Sequence, residues 1–419
     1  MKQAAFLFPG QGSQYVGMGK AFWDQDTNAR RRFEEANDLL GFDLQSLCLE
    51  GSVERLNQTQ YAQTAIFTVS VMAYEHYTQR HEWQPAFMAG HSLGEYTAIS
   101  CSGALPFADA IRLVRQRGIL MEEASLNGSG IMVAVTGASQ QELEEWCRKV
   151  STSVQPVGIA CHNSDQQCVL SGHPDAMRLV MDKLEQLGCK TYRLPVSGPF
   201  HSPLMQQAAD KMRTLLDQTE FLPFQYPVLS NVTAEPYPRH KADIVEHLVR
   251  QMVQPVKWRD TMHYLQAQGI ERVQELGPGK VLSRLFSRAI PAIQAFSYEQ
   301  PSSPISSTSP KTSTTSPKTS ASTISSTTST ISVQPIASKI EYCYMKAVVT
   351  PNRCELPDQQ SATIFHLCAQ LRLMLEQIDQ GQLLPSLAQV EQAMELLETV
   401  LITKNATPEE RNQALSNLR

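Results

Sequence analysis

Short apolar runs alternate with longer stretches of helical period along the first 300 residues. Ala4–Phe8 is an unbroken apolar run stopped by Pro9-Gly10, the pattern of a buried strand. Helical spacing predicts Gln63–Gln79, a strand follows at Phe87–His91, and further helices are predicted at Leu93–Ser102 and Ala108–Ser125. The alternation predicts an α/β fold with a mostly parallel sheet. The middle of the chain reads differently. Gly130–Val135, Val157–Cys161, Gln167–Ser171 and Thr191–Pro195 have strand character, while Gln140–Val150 and Asp175–Leu187 have helical character. Their order, β-α-β-β-α-β, predicts a ferredoxin-like unit inserted at about residues 128–197. After it come strands at Val228–Ser230 and Arg272–Glu275, with helices at Ile244–Val253 and Arg259–Gln268.

The pattern breaks after residue 300. From Pro301 to Ser338 nearly every residue is Ser, Thr or Pro, and Thr308-Ser-Pro-Lys-Thr-Ser313 repeats as Thr315-Ser-Pro-Lys-Thr-Ser320. Such a segment buries too little apolar surface to offset its chain entropy, so a disordered linker is expected over 301–338. It separates a unit of residues 1–300 from a small α-helical C-terminal unit, 339–419. Ile364–Ile378 and Leu387–Leu401 carry apolar residues at helical spacing, and Thr407-Pro408 has the pattern of a helix start. These helices suit a small bundle standing alone and a docking module for a synthase subunit equally.

Composition adds exclusions. With 42% hydrophobic and 18% charged residues, a net charge of −5 and pI ≈ 6.1, there is no basic footprint for nucleic acid. No run of about 18 apolar residues predicts a membrane span, and the N-terminal apolar run is too short for a secretory signal. Nine cysteines are scattered without CxxC or zinc-type spacing, so reduced thiols in a cytoplasmic protein and no metal site are expected.

Gly90-His91-Ser92-Leu93-Gly94 fits G-x-S-x-G between a strand-like and a helix-like run. A sharp strand-to-helix turn there exposes a serine oxygen beside unpaired helix N–H groups, that of Leu93 among them. The competing reading is a helix capped by Ser92. His91 adjoins the serine but is expected to point away. His201, in a loop after a strand, is the better base, although a lone loop histidine taken by itself is more often a solvated one. No acidic residue is placed to complete the usual Ser-Asp-His order.

Phe8-Pro-Gly-Gln11-Gly-Ser-Gln14, Gly90-His-Ser-Leu-Gly-Glu95-Tyr, Gln116-Arg117-Gly118, Phe200-His201-Ser202, Ser230-Asn231-Val-Thr and Leu276-Gly-Pro-Gly279-Lys stand in this order over residues 1–290. In these motifs the chain resembles the malonyl-CoA:acyl carrier protein transacylases of fatty acid and polyketide synthesis. The resemblance implies an α/β-hydrolase-like core around the insert. It implies Ser92 as nucleophile and His201 as general base, oriented by a backbone carbonyl in the region of Gln251. It implies an oxyanion hole from the N–H groups of Gln11 and Leu93. Arg117 is then the holder of the malonyl carboxylate, where a helix arginine would otherwise be a solvated charge. Gln63 lines the crevice, or is a helix-surface amide. Phe200 disfavours the extra methyl of methylmalonyl. The expected reaction is ping-pong, from malonyl-CoA to the phosphopantetheine thiol of an acyl carrier protein, with no cofactor; a polyketide synthase subunit is a further partner for the C-terminal unit. Two other readings are an acyl hydrolase of the same fold, which should lack Arg117, and a non-catalytic carrier-protein scaffold, which should lack Ser92, His201 and Gln11.

Overall fold

The computed structural model describes residues 3–127, 130–298, 387–403, 408 and 411. Nine strands occur among them: β1 (Ala4–Phe8), β2 (Pro85–Gly90), β3 (Ile131–Thr136), β4 (Val157–Ser164), β5 (Gln167–Gly172), β6 (Lys190–Arg193), β7 (Val228–Leu229), β8 (Arg272–Leu276) and β9 (Gln294–Tyr298). They form a five-stranded sheet, β7-β2-β1-β8-β9, and a four-stranded sheet, β4-β5-β3-β6.

In the large sheet every pairing is parallel. All five residues of β1 are buried, as its unbroken apolar run requires of a central strand covered on both faces. The helix Thr59–Arg80 carries apolar residues around its whole circumference and is buried over most of its length, with Ala65, Ile66, Phe67, Val69 and Met72 in the core. The helix Leu93–Cys101 is buried in the same way.

The insert has the expected order. Its neighbouring strands are all antiparallel, the two β-α-β halves interleaving so that β3 and β5 lie at the centre. The helices Gln140–Val150 and Pro174–Gln186 supply Leu143, Cys147, Met177, Val180 and Leu184 to a separate small core with Val133, Val135 and Leu170. Ser139 and Glu142 form a capping box at the first of these helices. One edge of the insert is bonded to the rest of the fold: the N–H of His162 donates to Val256 O at 2.9 Å, and that of Val256 to Ala160 O at 2.8 Å.

Some elements escape the hydrophobic pattern. Lys20–Gln25, Thr27–Leu40, Leu44–Glu50 and Val53–Asn57 are helices where the pattern predicts none. Three are too short to show a period, and local capping by Asp26, Asp43 and Ser52 starts the last three. The last strand of the insert is Lys190–Arg193 rather than Thr191–Pro195, since Pro195 has no N–H to donate to a ladder.

The chain divides into units Met1–Thr308 and Ser309–Arg419. In the second, Leu387–Thr403 is helical, with Ala393, Leu397, Val400 and Leu401 buried. The expected linker, 301–338, and the helical run Ile364–Ile378 lie outside the described residues, as does most of the third expected helix.

Candidate active site

β2 ends at Gly90, and a helix begins at Leu93. Between them Ser92 takes φ 53° and ψ −106°, a region that L-residues rarely occupy. Close packing forces this turn. A Cβ on Gly90 would lie 1.9 Å from the Gly94 carbonyl carbon, and one on Gly94 would lie 2.0 Å from Phe8 O. Glycine is therefore the residue that lets helix, β1 and β2 meet. The strained turn lifts the Ser92 hydroxyl off the sheet. His91 points elsewhere, its Nε2 2.9 Å from Asn163 Oδ1 on β4 of the insert.

His201 reaches the serine from the loop after β6. Its Nε2 lies 2.8 Å from Ser92 Oγ, and its Nδ1 lies 2.7 Å from Gln251 O. A carbonyl can only accept, so Nδ1 carries the proton and Nε2 is left to accept from the serine hydroxyl. His201 too is held at positive φ, 58°. Burial, then the neighbouring Arg117 charge, push its pKa down to about 3, so the ring is neutral.

Arg117 lies on Phe107–Asn127, yet is only 1% exposed. Nη1 donates to Gln63 Oε1 at 2.8 Å; Nη2 donates to Gln251 Oε1 at 2.9 Å and to Ser92 Oγ at 3.1 Å. Nε has no partner. Burial lowers the arginine's pKa, while the nearby Tyr96 and Glu95 oppose that shift. By contrast, Arg112 is half exposed and pairs with Asp109. Gln63 is buried rather than a surface amide, and its amide N–H also meets Met121 Sδ at 3.5 Å. Phe200 is buried beside His201 in the main core.

The backbone N–H of Leu93 opens its helix at the foot of Ser92, where no earlier turn supplies an acceptor. Gln11 lies just past the end of β1, which pairs with β2; its side chain donates to Thr59 Oγ1 at 3.2 Å, and Thr59 Oγ1 in turn meets Ser197 Oγ at 2.6 Å, on the loop that carries His201.

The match to the family described as acyl transferase domain runs over residues 5–299. The chain belongs to this family. The acyltransferase is 46% identical over 302 residues to the malonyl CoA-acyl carrier protein transacylase of Bacillus subtilis, covering 72% of this chain and 75% of the relative. To the protein of the same name from Escherichia coli strain K12 it is 40% identical over 306 residues, 72% of this chain and 98% of the relative. Among solved structures it is similar to the malonyl-transacylase PlMCAT, captured in complex with the type II PKS acyl-carrier protein AntF. That likeness has a TM-score of 0.69 at 36% identity and covers 71% of this chain and 96% of the other.

Two further residues, Asn231 and Glu95, belong to the acyltransferase's site. Asn231 braces the elbow: its Oδ1 accepts from the Ser92 N–H at 2.7 Å, and its Nδ2 donates to Gly90 O at 2.7 Å. Glu95 is a fully buried carboxylate on the nucleophile helix. Their presence in Ser230-Asn231 and Gly94-Glu95 was the available signal; a polar residue that near the elbow needs a partner if buried.

Proposed function

We propose that the chain transfers the malonyl group from malonyl-CoA to the phosphopantetheine thiol of an acyl carrier protein, through an ester on Ser92. The observation that carries this reading is the double contact of one hydroxyl oxygen, Ser92 Oγ, with the neutral base His201 and with the buried cation Arg117. A base alone suits any acyl group. A buried guanidinium beside the nucleophile suits an acyl group that ends in a carboxylate.

In the proposed sequence His201 Nε2 takes the Ser92 proton as Oγ attacks the thioester carbonyl. The new C–O bond gives a tetrahedral oxyanion, held by the N–H groups of Leu93 and Gln11, each worth about 3 kcal/mol. The carbonyl of Gln251 steadies the imidazolium through Nδ1. The C–S bond then breaks, and His201 returns the proton to the departing thiolate of coenzyme A. Acylation makes Oγ an ester oxygen, a weaker acceptor, so the Nη2 proton it held turns with Nη1 toward the malonyl carboxylate. The carrier thiol enters and the steps run in reverse. The reaction needs no group beyond these side chains, with coenzyme A and phosphopantetheine as parts of the substrates. Phe200 crowds an α-methyl, a discrimination of about 1–3 kcal/mol.

The likeness to a transacylase solved with its carrier protein supports a carrier protein as the acceptor. For the C-terminal unit the proposed partner is a polyketide synthase subunit; the apolar spacing of Leu387–Thr403 suits such docking and a self-standing bundle equally. Six unpaired cysteines among the described residues suit the reducing cytoplasm. No described helix is long and apolar enough to cross a membrane.

The test offers radiolabelled malonyl-, methylmalonyl- and acetyl-CoA separately and counts label on the enzyme and on holo-carrier protein. Malonyl should label both fastest. Preferential acetyl transfer, or label released to water as the main product, would overturn the reading.

A further inference from the structure

The mechanism leaves the buried carboxylate of Glu95, close to the nucleophile, idle. Glu95 Oε1 accepts from the backbone N–H of Asn231 at 3.0 Å and from the Tyr237 hydroxyl at 2.5 Å, while Oε2 accepts from Gln251 Nε2 at 2.5 Å. An ionised carboxylate only accepts. The amide nitrogen of Gln251 therefore has to face Glu95 and the carbonyl of Ser92, at 2.8 Å, and its Oε1 has to face Arg117 Nη2. Turning that amide over would set Oε1 against two acceptors and the NH2 group against a guanidinium. Unpaired buried groups of this kind are costly.

We propose that Glu95 is a positioning residue for acid-bearing acyl groups: its carboxylate locks the Gln251 amide, and the locked amide aims the Arg117 guanidinium at the carboxyl end of the acyl chain. This rests on the reading that Arg117 binds that carboxyl. Glu95 makes no hydrogen bond to Ser92 Oγ or to Arg117, and its hydrogen-bonded route to the guanidinium runs through Gln251.

Protonation would weaken the lock: the uncharged acid is a poorer acceptor for the Gln251 amide, and an O–H on Oε2 would meet a group that already donates. Burial raises the pKa of Glu95 to about 7, against the pull of Tyr237, Asn231, Gln251 and Arg117. The titratable and charged groups around it are Arg117, Tyr96, Tyr237, with His247 behind the Tyr237 ring, and His201 on the other side of Gln251. The locking form is the ionised one, so selection for malonyl should weaken as pH falls through the folded-state pKa. Protonation of His201 would slow every acyl group alike, and the malonyl-to-acetyl ratio cancels it.

The experiment measures initial rates of Ser92 labelling by malonyl-CoA and by acetyl-CoA with the full-length protein, between about pH 5.5 and 8.5. Glu95→Gln should lower the malonyl-to-acetyl ratio about tenfold or more and flatten its pH dependence. Tyr237→Phe removes one bond to the carboxylate while leaving Gln251 in place. It should keep the parent ratio at the alkaline end and move the fall of the ratio upward by about half to one pH unit. Equal losses of both rates in Glu95→Gln would make Glu95 structural and sink the proposal. So would a Tyr237→Phe ratio profile that coincides with the parent's, and this second variant decides the matter if Glu95→Gln does not fold. Failure of the underlying substrate reading looks different: Arg117→Ala would then leave the parent ratio intact.

Discussion

Arg117 donates from Nη2 to Ser92 Oγ at 3.1 Å, a contact between a helix interior and a strand-to-helix turn 25 residues away in sequence. It places a positive charge on the oxygen that must lose a proton, beside the buried side chains of Arg117 and His201. Charge there favours the alkoxide more than it would in solvent. The same charge helps to keep His201 neutral.

Ser92→Ala should remove the acyl-enzyme. Mass spectrometry after brief exposure to malonyl-CoA should find an adduct on Ser92 in the parent and none in the variant, with transfer reduced by about 10⁴-fold or more. Cys101, buried and with its thiol pKa raised by that burial, should stay unmodified; an adduct there would refute the assignment.

Arg117→Ala should lose malonyl transfer and retain acetyl transfer. A buried carboxylate without its partner costs about 3–5 kcal/mol, more than a hundredfold in rate, whereas a neutral acyl group loses nothing comparable. Parallel loss of both activities would make Arg117 structural.

The acid limb of acetyl self-acylation should lie well below the usual imidazole range. Burial lowers the pKa of His201 to about 3, so the free base persists as pH falls and protonation stops the reaction only near that value. The rate should therefore stay flat from about pH 7 down to about pH 5. An acid limb at about pH 6.5 would show an ordinary, solvated histidine.

Gly94→Ala should destabilise the protein by more than the ~1–3 kcal/mol usual for overpacking, because the clashing atoms belong to backbone and cannot rotate away. Gly158→Ala is the control: its Cβ would meet nothing within 4 Å, and a change within about 0.5 kcal/mol is expected. Urea unfolding followed by tryptophan fluorescence compares the two. Equal midpoints would show that the elbow yields.

A chain ending near residue 300 should self-acylate at the full-length rate, since the family match ends at 299 and the large sheet closes with β9 at Tyr298. If the C-terminal unit docks a synthase subunit, its loss should appear only with that partner, as reduced effective concentration. Insolubility or slow self-acylation of the shortened chain would overturn the division.

By itself the sequence determined what depends on neighbours along the chain. The apolar run of β1, the β-α-β-β-α-β order of the insert and the glycines flanking Ser92 each follow from local period and local sterics. Its motifs also marked Ser92, His201 and Arg117, and the resemblance they carry pointed to the region of Gln251. Tertiary structure alone decided how they meet. Arg112 and Arg117 share one helix and one residue type, yet the first is exposed and pairs with Asp109 while the second is buried and meets Ser92. Gln251 was expected to orient His201 through its backbone, and its carbonyl does lie on Nδ1; that its side chain also bonds Arg117 depends on the fold bringing Lys241–Val253 beside the elbow. Glu95 and Asn231 stood in plain view within motifs, yet their roles required the loop after β7 to fold over the elbow. Hydrogen bonds between residues more than 100 positions apart leave no period in the sequence, because the chain between them carries none of the constraint.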